Sequence, residues 1–341
     1  MLNDRAEIVD VHSHFYPRWY IEKLKKRETI PRVSEDSNGE KFVIFAEEEL
    51  PGNVGRPITA DYWSLEAKLG FMDKHGIDQT ILSLGNPWLD PFDEEDGLAT
   101  ARYLNEDFAK LASQTGGRVL GMGALPPHSP SNVATVIQEI ESQGDIYGAI
   151  TGTLIAGKTF DDPELNVVWA SLEETGVPLL VHPHRGAAMD ELEGFGHAMP
   201  VAVGVPLETT IALARLVFAG VLHRYPGVRV VGSHGGGTIP FLAGRLDAGW
   251  HSDPSLVDAM PIPPSEVLDR LFLDAVLYHP RALLAAADLV GVEHLMFGTD
   301  HPFSISDPAT NIEAIREAFG GDAAACVLAG AALSLYAQEG P

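Results

Sequence analysis

IVDVHSH, residues 8–14, reads as a short apolar strand that runs into a His-x-His pair. Side chains on a strand alternate with period two, so His12 and His14 leave the same side of the chain. Two histidines in an ordinary surface turn would give the same letters. The position of the pair, at the C-terminal end of an apolar strand, separates the two readings, because three other stretches end in the same way. LLVHPH, residues 179–184, closes an apolar run on His182. VVGSHGGG, residues 230–237, sets His234 at a strand end ahead of three glycines, and FGTDHP, residues 297–302, does so with Asp300.

Working outward from these stretches, eight short runs rich in Val, Ile and Leu qualify as strands: 8–11, 79–84, 119–124, 148–153, 179–182, 228–233, 271–275 and 294–298. They are mostly unalternated, as parallel strands buried on both faces are. Amphipathic helix patterns separate them at 62–75, 98–113, 164–175, 207–225, 239–250, 281–289 and 311–319. Gly76 and Gly176 are expected to close two of these helices, and Asp61 to cap one. The alternation predicts an α/β protein, a (β/α)8 TIM barrel forming one domain over residues 1–341. Two long segments interrupt it, 15–60 after the first strand and 184–206 after the fifth. The first includes a strand-like stretch at 41–46. Both follow strand C-termini, so both should lie over the mouth of the barrel.

Composition narrows the function. The 341 residues carry 23 Lys plus Arg against 48 Asp plus Glu, a formal charge of −25. That balance argues against nucleic acid or an anionic membrane as partner, since both call for a basic face. The mean hydropathy is +0.03, and no apolar run reaches the roughly 18 residues of a membrane helix. MLNDRAEIVD at the start lacks a basic region and an apolar core, so a cytoplasmic location is expected. The one cysteine, Cys326, excludes an internal disulfide framework, and its Ala-rich neighbours predict a buried, inert thiol.

In a closed barrel the ends of the first, fifth, sixth and eighth strands converge. Imidazoles with a carboxylate suit a divalent transition metal, zinc first, whereas calcium or magnesium would call for more oxygens. The fourth strand ends in Thr151-Gly152-Thr153-Leu154, without the lysine or glutamate that bridges two metals, so a single ion is expected.

With VDVHSHFYP, GRPIT, HGID, LLVHP, GSHGGG with FLAGRLD, PPSE and GTDHPF in this order, the chain resembles the amidohydrolase superfamily over residues 9 to about 335. The branch it resembles is that of aminocarboxymuconate-semialdehyde decarboxylase and the related non-oxidative aromatic acid decarboxylases. The resemblance implies that His12, His14, His182 and Asp300 hold one Zn2+ or Mn2+ per chain, with Asp300 also part of the catalytic set. It implies that His234 is the general base beside the metal-bound water. It makes Arg56 a substrate-carboxylate ligand, and Arg245 a second one supplied across a homodimer interface. From the residues alone, Arg245 could equally form a surface ion pair with Asp247. The stretch His251-Ser252-Asp253 lacks a further arginine of the decarboxylase, which points away from muconate semialdehyde as the substrate.

The expected activity is metal-dependent decarboxylation of a small unsaturated or aromatic carboxylic acid, a carboxy-lyase reaction. Arg56 favours it, because a guanidinium pairs bidentately with a carboxylate. Hydrolysis or hydration of a lactone, amide or ring-cleavage product needs the same residue types and is the alternative. A non-catalytic metal-binding barrel is the third reading.

Overall fold

The computed structural model describes residues 2–49 and 55–337. Its strands are β1 (Val9–His14), β2 (Arg32–Asp36), β3 (Gly39–Val43), β4 (Arg56–Pro57), β5 (Gln79–Ser83), β6 (Val119–Ala124), β7 (Ile146–Thr151), β8 (Leu179–Val181), β9 (Val230–Gly232), β10 (Phe272–Asp274) and β11 (Leu295–Met296). β1 and β5 to β11 pair in sequence order, all in parallel, in one eight-stranded sheet. Backbone bonds from the segment after β11 close it into a barrel. The Val11 amide donates to the Phe297 carbonyl at 3.0 Å, the Asp300 amide to His12 at 2.8 Å and the His14 amide to His301 at 2.7 Å. This is the α/β TIM barrel that the alternation predicts.

Every residue of β1, β5, β6, β7, β8 and β9 is buried. That is why these runs carry no polar alternation: helices cover one face and the barrel interior the other. Boundaries differ from expectation by a few residues. β1 extends through His14, so both histidines lie within the strand. Helix Leu65–His75 starts later than expected, because Ala60–Tyr62 first makes a 3-10 turn; Ser64, not Asp61, caps it, accepting from the Ala67 amide at 3.2 Å. Gly76 and Gly176 do close their helices, with φ of 68° and 63°. Helix Pro130–Gln143 has no counterpart in the expectation, although Ser129 caps it, Pro130 opens it and Val133, Val136, Ile137 and Ile140 form its buried stripe.

The two long segments are not plain loops. The first folds in part into an antiparallel β2–β3–β4 sheet, in which the strand expected at 41–46 occupies Gly39–Val43. The second holds short helical turns and is fastened by Glu208, whose carboxylate accepts the amides of His184 at 3.1 Å and Arg185 at 2.9 Å.

Two expectations change. Pro200–Phe218 is long and apolar enough to cross a membrane by length and composition, with a mean hydropathy of 1.6. A helical turn running directly into the next helix makes the span longer than the sequence suggests, and it carries Glu208 and Arg215. Cys326 is half-buried rather than buried, since it opens a π-helical turn at the surface, with its Sγ 3.6 Å from the Val292 carbonyl.

Candidate metal centre

Four groups converge at the mouth of the barrel. His12 and His14 project from β1, His182 follows β8, and Asp300 follows β11. All four are buried, and one ligand atom from each lies within 4.8 Å of all the others. The Nε2 atoms of His12 and His14 are 3.1 Å apart, and each is 3.2 Å from Asp300 Oδ1. His182 Nε2 is 3.8 Å from the same oxygen. A tetrahedral ion with bonds of about 2.0–2.1 Å holds its ligand atoms roughly 3.3 Å apart, so the set is close to that size.

The hydrogen bonds fix which nitrogen of each ring is free. His12 Nδ1 donates to Asp274 Oδ2 at 2.6 Å, and His182 Nδ1 to the Pro183 carbonyl at 2.9 Å. Ser83 Oγ gives its proton to the Ser13 carbonyl at 3.3 Å, so it accepts from His14 Nδ1 at 3.2 Å. With all three protons on Nδ1, all three Nε2 lone pairs face inward. Among the described residues, His182 Nε2 is buried without a hydrogen-bond partner. A buried acceptor left unpaired is costly, and a cation at this point would satisfy it. The residues therefore fit a divalent metal.

The electrostatics agree. Burial lowers His14 to about 3 and His182 to about 4, so both rings keep their lone pairs well into acid. Burial would also lower His12, but Asp274 and Asp300 outweigh it and lift the ring to about 10, so without a cation its Nε2 also carries a proton, which a metal ion would displace. The chain thus attracts positive charge to this point. Asp300 resists the cost of burial through the same imidazoles, with His12 foremost, and lies well below the ordinary carboxylate range.

His234 sits beside the four, its Nε2 3.4 Å from Asp300 Oδ2, while its Nδ1 is buried with no hydrogen-bond partner among the described residues. Both His234 and Asp300 take left-handed backbone, with φ of 54° and 55°. Such strain in non-glycine residues concentrates at functional sites. Gly235, at φ 63°, continues the turn and donates its amide to Asp274 Oδ1 at 3.2 Å; a Cβ there would strike Leu277 at 2.7 Å. Gly298 lets its strand pass behind His12, where a Cβ would come within 2.8 Å of the His12 Cβ.

Asp274 is the residue that the sequence reading misses. It ends β10, is 0% exposed, and joins His12 to the turn that carries His234. A lone carboxylate at the end of the seventh strand was its available signal.

Arg56 lies on β4. Its Nε donates to Glu48 Oε1 at 2.8 Å, and Glu48, 2% exposed, also accepts the amides of Ile44 at 2.6 Å and Phe45 at 3.0 Å. Among the described residues, no hydrogen bond uses its Nη edge. A series of rings links this strand to the centre. Phe42, which pairs with Arg56 across the ladder, is 5.7 Å from Tyr62; Tyr62 is 6.3 Å from Phe303, and Phe303 is 5.0 Å from His14. Arg245 is exposed on helix Ile239–His251. Its alternative partner Asp247 accepts the Ser265 amide at 2.8 Å instead.

Known proteins bear on these findings. The family model described as "Amidohydrolase" matches residues 9–337. The 2-amino-3-carboxymuconate-6-semialdehyde decarboxylase of Dictyostelium discoideum is 28% identical, covering 92% of this chain and 87% of its own length. Gamma-resorcylate decarboxylase from Rhodococcus jostii is 27% identical over 82% of this chain and 87% of its own. Among solved structures, the apo form of Metarhizium anisopliae IDCase superposes with a TM-score of 0.90 at 33% identity, covering 97% of both chains.

Proposed function

The chain belongs to the amidohydrolase family, and we propose that it is a metal-dependent, non-oxidative decarboxylase of a small aromatic or unsaturated carboxylic acid. The observation that carries this reading is the run of rings from His14 through Phe303 and Tyr62 to Phe42, with the metal set at one end and Arg56 at the other. A flat, conjugated acid suits such a wall, and the decarboxylase relatives support the same chemistry.

His12, His14, His182 and Asp300 would hold one ion, zinc by preference and manganese second, on the basis of three imidazoles and one carboxylate. A bound ion supplies Lewis acidity at the open side of the set. The remaining work falls to side chains. Arg56 binds the anion through its Nη edge, since Glu48 occupies Nε. The rings hold the plane of the substrate and keep water away. The bond to the carboxylate breaks, its electron pair stays on the ring or chain carbon, and a proton takes the place of CO2. His234, with Asp300 on Nε2, is placed to hold and deliver that proton.

The test is a panel of unsaturated and aromatic acids incubated with metal-loaded protein, read by CO2 release and absorbance. Stoichiometric CO2 is expected. Turnover without CO2 would replace this reading with hydrolysis or hydration. Arg56→Met should lower kcat/KM about 10- to 100-fold, mostly through KM, as loss of a charge-assisted pair does, with metal content unchanged. Equal kinetics on every acid that is turned over would remove Arg56 from the binding role.

Helix Ile239–His251 supports a homodimer. Only Ile239 of it is buried, Phe241 is 87% exposed, and Gly244, Arg245, Ala248 and Gly249 are exposed on it. A second copy on this face would cover Phe241 and present Arg245 to its neighbour. Phe241→Asp should move the protein from dimer to monomer in light scattering. A monomeric wild type would refute the pairing.

A further inference from the structure

Lys68 lies on the inward face of helix Leu65–His75 and is 0% exposed. A buried amine must be fully bonded to be tolerated. Its Nζ donates to Ser13 Oγ at 2.9 Å and to His301 Nδ1. Phe71 stacks on the His301 ring at 3.7 Å. Neither partner is a metal ligand, but each adjoins one. Ser13 lies between His12 and His14, and His301 follows Asp300.

These bonds fall at the seam of the barrel. β1 and β11 are the two ends of the strand order, and the segments are joined there by a single bridge, Ser13 to His301, and a few backbone bonds. Ser13 Oγ donates to the His301 carbonyl at 3.1 Å. Asp10 reinforces the same seam, accepting from the His12 amide at 3.1 Å, the Thr299 amide at 3.0 Å and the Thr299 hydroxyl at 2.7 Å. Three of the four ligand residues stand on the two sides of this seam: His12 and His14 on one, Asp300 on the other. Elsewhere in the barrel neighbouring strands pair through ladders; here backbone bonds and side chains together set the spacing.

We propose that Lys68 is a positioning residue for the metal centre, holding the His12–His14 segment and the Asp300 segment at ligand spacing from behind through Ser13 and His301. The inference rests on the metal reading above and concerns affinity for the ion rather than the reaction. Lys68→Met keeps the length of the side chain and removes the donors. In the full-length protein, the dissociation constant for Zn2+, measured by competition with a chromogenic chelator, should weaken about 10- to 100-fold, as loss of a supporting hydrogen bond behind a ligand does. The thermal midpoint of the metal-free protein should fall, because Ser13 Oγ and His301 Nδ1 lose a buried donor, so the zinc constant is the deciding readout. Ser13→Ala removes the acceptor with little change in volume and should weaken Zn2+ binding as well.

A constant within about twofold of wild type in folded Lys68→Met would overturn the proposal, whatever happens to the thermal midpoint. If Lys68→Met does not fold, Ser13→Ala decides by the same criterion. A wild type that binds no zinc or manganese would instead bring down the metal reading itself.

Discussion

His12→Ala is expected to leave the chain without its metal, where wild type holds one zinc or manganese per chain by elemental analysis. His12 contributes Nε2 to the set and is held by Asp274 on its other nitrogen. Removing the ring therefore does two things. It takes one of four ligands from the ion, and it leaves the fully buried Asp274 carboxylate without its closest partner. Breaking a buried pair from one side costs about 3–5 kcal/mol. Metal loss should thus come with a lower thermal midpoint in the metal-free protein, and turnover should fall to background. His12→Ala that still holds a full equivalent of metal would exclude His12 as a ligand. Two ions in the wild type would point to a binuclear site that the end of the fourth barrel strand does not suggest.

His234→Asn should behave in the opposite way toward the metal. His234 lies outside the four-ligand set, with its Nε2 on the outer oxygen of Asp300. The variant should keep one ion per chain and still lose about 10²- to 10⁴-fold in kcat, the usual worth of a positioned proton-transfer group. Asparagine also tolerates the left-handed backbone that this position requires, which keeps the comparison free of added strain. KM should move much less than kcat. A variant with wild-type kcat would assign the proton to another group, and one without metal would make His234 a ligand.

The outline of this site is legible in the sequence because its polar groups close apolar runs. His12, His182, His234 and Asp300 each follow a stretch of Val, Ile, Leu or Phe, and a barrel brings such ends together. What supports them is harder to read. Asp274 ends its strand with the same letters as a helix cap. Glu48 and Arg56 meet because part of 15–60 folds as a small sheet, and β3–β4 pairing leaves little trace in so short a β4. Lys68 looks like a solvated charge on a surface helix until the seam of the barrel is seen beneath it. Helix Pro130–Gln143 carries its cap, its opening proline and its apolar stripe, so its signals do stand in the sequence. Cys326 shows the limit of composition: apolar neighbours predict burial, but a π-turn sets the thiol at the edge.

The left-handed backbone at His234 and Asp300 has a consequence for any effort to breed a hardier variant. Each residue sits in a conformation that costs a side chain about 1–3 kcal/mol and costs glycine almost nothing. In a library scored on heat resistance alone, glycine at these two positions would shed that strain and be favoured wherever the lost side-chain bonds cost less. The winners would be durable barrels that had traded away the groups meant to act on a substrate. Turnover has to be scored alongside endurance, or selection will erase the trait it was meant to preserve.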